Sequence, residues 1–145
     1  MINLEKKKSI NLTKSVPSLN HVKVGLSWDQ SILNGQSPDA DASAFMLGEN
    51  GKIPSDDFFV FFNNPKSGDG AVCSGFHFGN VNNASVRVYN SSNNEVICQY
   101  KLTESYDGLD SLVIGRFFRN GTEWEFEAMG QAFGGGLGAT VELYS

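Results

Sequence analysis

Alternating apolar and polar positions dominate the chain and predict short β-strands. Residues 22–28 place four apolar side chains on one face and small or charged ones on the other, the pattern of a half-buried strand. The clearest hairpin is predicted at residues 112–130, where two alternating runs meet at Asn120-Gly121, a pair that tolerates positive φ. A second hairpin is predicted at residues 84–102, around a polar turn at 91–94.

The middle of the chain gives weaker strand patterns. Residues 42–47 alternate and end near Asn50-Gly51, which predicts a tight turn. Residues 58–62, FFVFF, are apolar on both faces and favour a central position in a sheet or between two layers. Residues 71–78 form another candidate strand, weakened by its glycine.

Two segments do not follow the strand pattern. Residues 102–110 could hold one short helix. The glycine-rich run at residues 130–139, GQAFGGGLGA, is interpreted as a flexible or tightly turning connection that packs close to other backbone.

These patterns predict an all-β fold, an antiparallel β-sandwich with short hairpins and at most one short helix. The chain has 145 residues, and we expect a single domain over residues 1–145. Sixteen glycines and eleven phenylalanines agree with strands joined by tight turns.

Charge narrows the classes of partner. The net charge is −5 and the basic residues cluster only at residues 6–8, which we interpret as a solvated edge. Nucleic acid is therefore excluded as the main partner, because phosphate binding requires clustered lysine and arginine. No apolar run approaches a membrane span and no signal peptide is recognised at residues 1–13, so we expect a cytoplasmic protein.

Oxygen ligands are the candidate chemistry. Asp29 ends the strand at residues 22–28, and Asp39 and Asp41 precede the strand at residues 42–47; if these strands are antiparallel neighbours, the three carboxylates meet at one sheet end. Asn63 could add an amide oxygen there, and such a set favours Ca²⁺ or Mg²⁺. The alternative is a turn after Pro38 in which Asp39 accepts backbone N–H bonds and Asp41 faces water.

Five runs resemble the TerD family of tellurium-resistance proteins, in the order of that family: VGLSWD at residues 24–29, DADASAFMLGENGK at 39–52, DDFFVFFNNPKSGDGAV at 56–72, FGNVNNASVRVYN at 78–90, and FRNGTEWEFEAMGQAFGGGLGA at 118–139. The resemblance implies a calcium-binding β-sandwich associated with bacterial stress responses and with resistance to tellurite, some phages and colicins. It also implies that Asp29, Asp39, Asp41 and Asn63 are the ligands of its first acidic loop.

One departure from the family pattern follows residue 72. Family members continue with a long acidic loop and two further elements, whereas here GAVCSGFH runs almost directly into FGNVNNA. The chain therefore resembles a shortened member that lacks the second acidic loop. We expect calcium to bind more weakly, since its affinity depends on the number of charged ligands.

Three functions follow as hypotheses. The first is a non-enzymatic calcium-binding stress protein that presents a metal-dependent surface to other proteins, including stress-response or membrane-associated complexes. The second is a metal-independent interaction module. The third is thiol chemistry on tellurium through Cys73 and Cys98, which we disfavour because neither lies in a sequence context that lowers its pKa.

Overall fold

The fold is taken from a computed structural model that describes residues 1–29, 39–40, 43–61, 67, 78–79, 82–102, 111–134 and 136–145. The elements in chain order are β1 (Ile2–Leu4), β2 (Ser9–Asn11), α1 (Leu12–Ser15), β3 (Val22–Asp29), β4 (Asp39–Ala40), β5 (Ala44–Phe45), a 3₁₀ turn (Asp56–Phe58), β6 (Phe59–Val60), β7 (Phe78–Gly79), β8 (Asn82–Asn90), β9 (Val96–Lys101), β10 (Ser111–Asn120), β11 (Glu123–Phe133) and α2 (Gly136–Tyr144). Strands dominate, so the all-β prediction is confirmed.

The chain divides into two compact units. The first comprises Met1–Asp29 and Asn82–Gly134, and the second comprises Gln30–Val81 and Gly135–Ser145.

Two sheets form the first unit. One has the strand order β1-β9-β8-β3 and the other β10-β11-β2. Their inner faces share one apolar core, to which β2, β8, β9 and β11 all contribute; its fully buried members include Leu12, Val86, Val88 and Cys98. The predicted sandwich is therefore present in this unit, since two sheets bury their apolar faces against each other.

Both predicted hairpins form in this unit. β10 and β11 pair antiparallel and turn at Gly121, whose φ of 68° is the conformation that glycine adopts without strain. β8 and β9 also pair antiparallel, and their turn is organised by Asn90. The Asn90 side chain is buried, and its Oδ1 accepts hydrogen bonds from the Ser92 amide at 3.1 Å and the Ser92 hydroxyl at 2.7 Å.

One pair departs from the antiparallel prediction, because β1 lies parallel to β9. The tight turn at residues 5–8 carries the chain from β1 to β2, which belongs to the other sheet. Lys7 has a φ of 69° in this turn, and its amide donates to the Ala128 carbonyl. A two-residue hairpin turn can join only antiparallel strands. No such turn connects β1 to β9, because β1 continues into β2 of the other sheet, and the two strands can therefore be parallel.

The second unit contains short strands and the C-terminal helix. β4 pairs with β7, and β5 pairs with β6, both antiparallel. The predicted turn at Asn50-Gly51 is present, with a φ of 75° at Gly51 and a hydrogen bond from the Lys52 amide to Asn50 Oδ1 at 3.1 Å. Within the described residues, neither helix is long and apolar enough to cross a membrane.

The interpretation of residues 130–139 as a turning connection is wrong. β11 extends through Phe133 and α2 begins at Gly136. Contacts in the second unit hold the helix in spite of its glycines. Lys52 Nζ donates to the Leu143 carbonyl at 2.9 Å, and the Tyr144 ring lies 5.0 Å from Phe45. Packing of this kind outweighs local helix propensity.

Two other expectations fall largely outside the described residues. The short helix at residues 102–110 is one, since the structure describes only Leu102 there. The strand at residues 71–78 is the other, and of it only Phe78, in β7, is described.

Candidate functional site

The backbone places two of the four predicted cation ligands at strand ends. Asp29 is the last residue of β3 and pairs with Asn82, while Asp39 is the first residue of β4 and pairs with Gly79. Asp41 and Asn63 lie outside the described residues. The side chains of all four are outside the description as well, so their coordination of a cation stays a prediction.

The strand pairing expected around these ligands is wrong. β3 does not neighbour the strand at residues 44–45 but pairs with β8 through seven residue pairs, from Val22↔Asn90 to Asp29↔Asn82. β5 pairs with β6 instead. β8 matches β3 in length, with nine residues against eight, whereas β5 has two.

A stack of aromatic rings joins β5 to residues 59–61. The Phe59 ring lies 4.6 Å from Phe45 and 4.4 Å from Phe61, and both pairs are nearly parallel. Stacked rings of this kind add to the apolar area that they bury. The rings therefore strengthen the pairing of β5 with β6.

The register of this strand pair relates the two ligands to each other. Ala44 is opposite Val60, and Phe45 is opposite Phe59. Asp41 precedes Ala44 by as many residues as Asn63 follows Val60. Both predicted ligands are therefore equally distant along the chain from one cross-strand pair.

The acidic excess is confined to one unit. Counted over the full sequence, the first unit has nine lysines and arginines and nine aspartates and glutamates, whereas the second unit has two and seven. The net charge of −5 therefore arises entirely in the unit that contains Asp39, Asp41 and Asn63. Such a unit benefits from a bound cation that reduces the repulsion among its carboxylates.

No group of three or more His, Cys, Asp or Glu side chains that could hold a metal occurs among the described residues. The three glutamates of β11 illustrate why exposure alone does not make a site. Glu123, Glu125 and Glu127 each accept from a donor of the same unit. The strongest of these pairs joins Arg116 Nε to Glu127 Oε1 at 2.6 Å.

Cys98 is the described cysteine, and it lies in the core of the sandwich with no exposed surface. Burial raises the pKa of its thiol to about 11, because the charged thiolate would lose its hydration there. A thiol of this kind is a poor nucleophile and a poor soft-metal ligand at neutral pH. Cys73 lies outside the described residues.

Comparison with protein families matches the chain to the TerD domain, over residues 1–76 and again over residues 74–144. The two matched segments together span almost the whole chain and meet at residues 74–76. The meeting point lies next to residue 72, where the sequence departs from the family pattern.

Curated relatives agree with this match. "Tellurium resistance protein TerD" of Serratia marcescens is 31% identical over 185 aligned positions, which cover 99% of this chain and 96% of the relative. "General stress protein 16U" and "Stress response protein SCP2", both of Bacillus subtilis (strain 168), are 29% and 32% identical. The alignment with General stress protein 16U covers 99% of this chain and 96% of that relative. The alignment with Stress response protein SCP2 covers 90% of this chain and 92% of that relative.

The alignment length confirms that the chain is shortened. An alignment of 185 positions to a chain of 145 residues leaves at least 40 positions without a residue in this chain. The two segments of the family match meet at residues 74–76, which belong to the second unit.

Proposed function

Because the chain belongs to the TerD domain family, we propose that it is a non-enzymatic stress-response protein of the tellurium-resistance type that binds calcium through its acidic unit. The observation that carries the stress-response role is the alignment over 99% of the chain with a relative named for tellurium resistance. Two further relatives are named as a general stress protein and a stress response protein.

We propose calcium as the cation. The proposed ligands of the second unit, Asp39, Asp41 and Asn63, offer only carboxylate and amide oxygens, which hard cations such as Ca²⁺ and Mg²⁺ prefer. Asp41 precedes Ala44 by three residues and Asn63 follows Val60 by three, and Ala44 pairs with Val60. The acidity of the second unit supports the same proposal.

Binding should be weak, because the chain lacks about 40 aligned positions of its relatives near residues 74–76. We propose that those positions include ligands that longer relatives have and this chain does not. A dissociation constant of about 10⁻⁴ to 10⁻³ M is reasonable for a calcium site with few charged ligands.

The non-enzymatic part of the proposal rests on the chemistry of Cys98. Its thiol is buried and its pKa is raised, which disfavours direct reduction or capture of tellurium by this residue. We propose that the protein acts by presenting a calcium-dependent surface to other proteins of a stress-response or membrane-associated complex.

Calcium titration with a thermal melt tests the proposal. At 10 mM calcium, a site of this affinity stabilises the folded state by about 2 kcal/mol. For a chain of this size we expect the melting temperature to rise by about 5 °C. Amide chemical shifts of Asp39 and Asp41 should move over the same concentration range.

A matched pair of variants separates a specific site from general charge screening. Asp39→Asn/Asp41→Asn removes two proposed ligands, and Asp56→Asn/Asp57→Asn removes two exposed acids from the same unit. We expect the first variant to lose the calcium response and the second to keep it. An equal response in both variants, or none in the unmodified protein, contradicts the proposed calcium site.

A further inference from the structure

The outer face of the four-stranded sheet in the first unit carries three exposed cations on three adjacent strands. Lys23 lies on β3, Arg87 on β8 and Lys101 on β9. Lys23 is opposite Tyr89 and Lys101 is opposite Ser85, so Arg87 lies midway between these two positions of β8. The three form a diagonal, here called the cation row, with about 7–8 Å between successive side chains.

The core behind the sheet fixes the direction of these side chains. Val86 and Val88 flank Arg87 along β8 and are buried in the core, and Tyr100 precedes Lys101 on β9 and is buried there too. Since successive side chains of a strand point to opposite faces, the cation row faces away from the core.

Neutral neighbours hold two members of the row in place. Lys23 Nζ donates to Asn94 Oδ1 at 3.2 Å and lies 5.2 Å from the centre of the Tyr89 ring. Arg87 Nε donates to Gln99 Oε1 at 2.7 Å, and Gln99 is only 5% exposed. The guanidinium is thus anchored to a buried amide, and its charge is not neutralised by that bond.

The two sheets differ in how their cations are paired. Within the described part of the chain, no member of the cation row has a carboxylate partner. On the other sheet, Arg116 of β10 is paired with Glu127 at 2.6 Å, and Glu123 of β11 lies 3.9 Å from Lys14 of the adjoining helix α1. Among the described residues, the cation row therefore carries three positive charges without an ion-pair partner.

We propose that the cation row binds an extended acidic segment of another protein, with carboxylates at alternate positions. Same-face side chains of an extended segment are about 6.7 Å apart, since each residue rises about 3.3 Å. This spacing matches the diagonal of the row closely enough for three simultaneous ion pairs. The proposed surface includes none of the proposed calcium ligands and requires no metal.

The charge of this unit favours this partner over larger anions. The unit that carries the row has equal numbers of acidic and basic residues, so it offers no broad cationic surface to a membrane or a nucleic acid, whereas a short acidic segment needs only the row. A second copy is a poorer partner, because its β11 glutamates already have donors within their own unit.

Binding of a labelled peptide that alternates glutamate and serine, measured by fluorescence polarisation with EDTA, tests the proposal. The variant Lys23→Gln/Arg87→Gln/Lys101→Gln should bind about tenfold more weakly, since three exposed ion pairs are lost. The control Lys14→Gln/Arg116→Gln/Arg119→Gln has the same net charge and should bind like the unmodified protein. A third variant, Lys23→Gln/Lys101→Gln, keeps the Arg87–Gln99 bond and should be intermediate, provided that all melt cooperatively.

Several results would overturn the proposal. If the control variant lost as much affinity for the peptide as the row variant, only the net charge of the protein would matter. If a glutamine–serine peptide bound as tightly as the glutamate–serine peptide, the carboxylates would not be recognised. Tighter, row-dependent binding of phosphatidylserine vesicles or single-stranded DNA would assign the surface to those anions. Row-dependent self-association in sedimentation would assign it to a second copy. Because EDTA is present throughout, failure here leaves the calcium proposal intact.

Discussion

Cys98 provides the sharpest test of whether this protein uses thiol chemistry. Its side chain has no exposed surface, and burial raises the pKa of the thiol from 9.0 to about 11. A shift of about two units lowers the thiolate fraction at neutral pH about 100-fold. In a Cys73→Ser background, which leaves Cys98 as the single thiol, we expect iodoacetamide to react at least 100-fold more slowly with folded than with urea-unfolded protein.

The same shift predicts how stability depends on pH. Because the folded-state pKa lies above the unfolded-state value, the contribution of the neutral thiol is complete below pH 9 and is lost as the pH rises to about 11. Two units correspond to about 3 kcal/mol of unfolding free energy. Between pH 8.5 and pH 10.5, urea melts should therefore show a larger loss of unfolding free energy for the Cys73→Ser protein than for Cys73→Ser/Cys98→Ala.

Two results would refute this reasoning. Labelling of the folded protein at the rate seen in urea would mean that Cys98 is accessible and ionised, which would revive thiol chemistry on tellurium. An identical loss of stability with pH in the presence and absence of Cys98 would mean that its thiol is not buried as described. Mass spectrometry of the labelled peptide identifies the modified residue in either case.

Three substitutions test the packing and turns of the fold by urea unfolding. Gly115→Ala should destabilise by about 3 kcal/mol, because a Cβ there lies 2.5 Å from the Phe126 ring and 2.8 Å from the carbonyl of residue 127, and Phe126→Leu should recover part of the loss. Asn90→Ala removes the acceptor of both Ser92 bonds and should cost about 1–2 kcal/mol. Gly138 lies on α2 with no atom near the position of an added Cβ, so Gly138→Ala should raise the unfolding free energy by up to about 1 kcal/mol. A lower unfolding free energy in this variant would contradict a helix at this position.

Local signals predicted the hairpins of the first unit well. The turn at Gly121 and the turn after Asn90 are specified by residues that tolerate positive φ or bond to their own backbone. The flanking alternation then determines which side chains enter the core. Hairpins of this kind are readable because turn and strands are adjacent in sequence.

Long-range pairing was not readable in the same way. The partner of β3 is β8, about sixty residues later in the chain. The residues of β3 do not indicate whether this strand pairs with β8 or with the strand at residues 44–45. The parallel pairing of β1 with β9 is equally non-local. The cation row was missed for the same reason, since Lys23, Arg87 and Lys101 become neighbours only through this register.

The glycine-rich tail shows how tertiary contacts override propensity. Three consecutive glycines favour a turn by their backbone freedom, yet α2 begins within that run. The helix ends where Lys52 and the amide of Ile53 bond to the carbonyls of Leu143 and Tyr144. A positive charge at a helix C-terminus is favourable, and these contacts lie about ninety residues away in sequence.

The position of the shortening explains how the chain can lose about 40 aligned positions and keep a folded core. The two family-matched segments meet at residues 74–76, in the second unit, whereas every member of the apolar core cluster belongs to the first. The sandwich therefore retains its two sheets and both long hairpins. The shortening instead affects the acidic unit, where the proposed calcium ligands Asp39, Asp41 and Asn63 lie. If the proposed calcium site exists, stability in the absence of calcium and affinity for calcium are expected to be separable, because the core cluster lies outside the acidic unit.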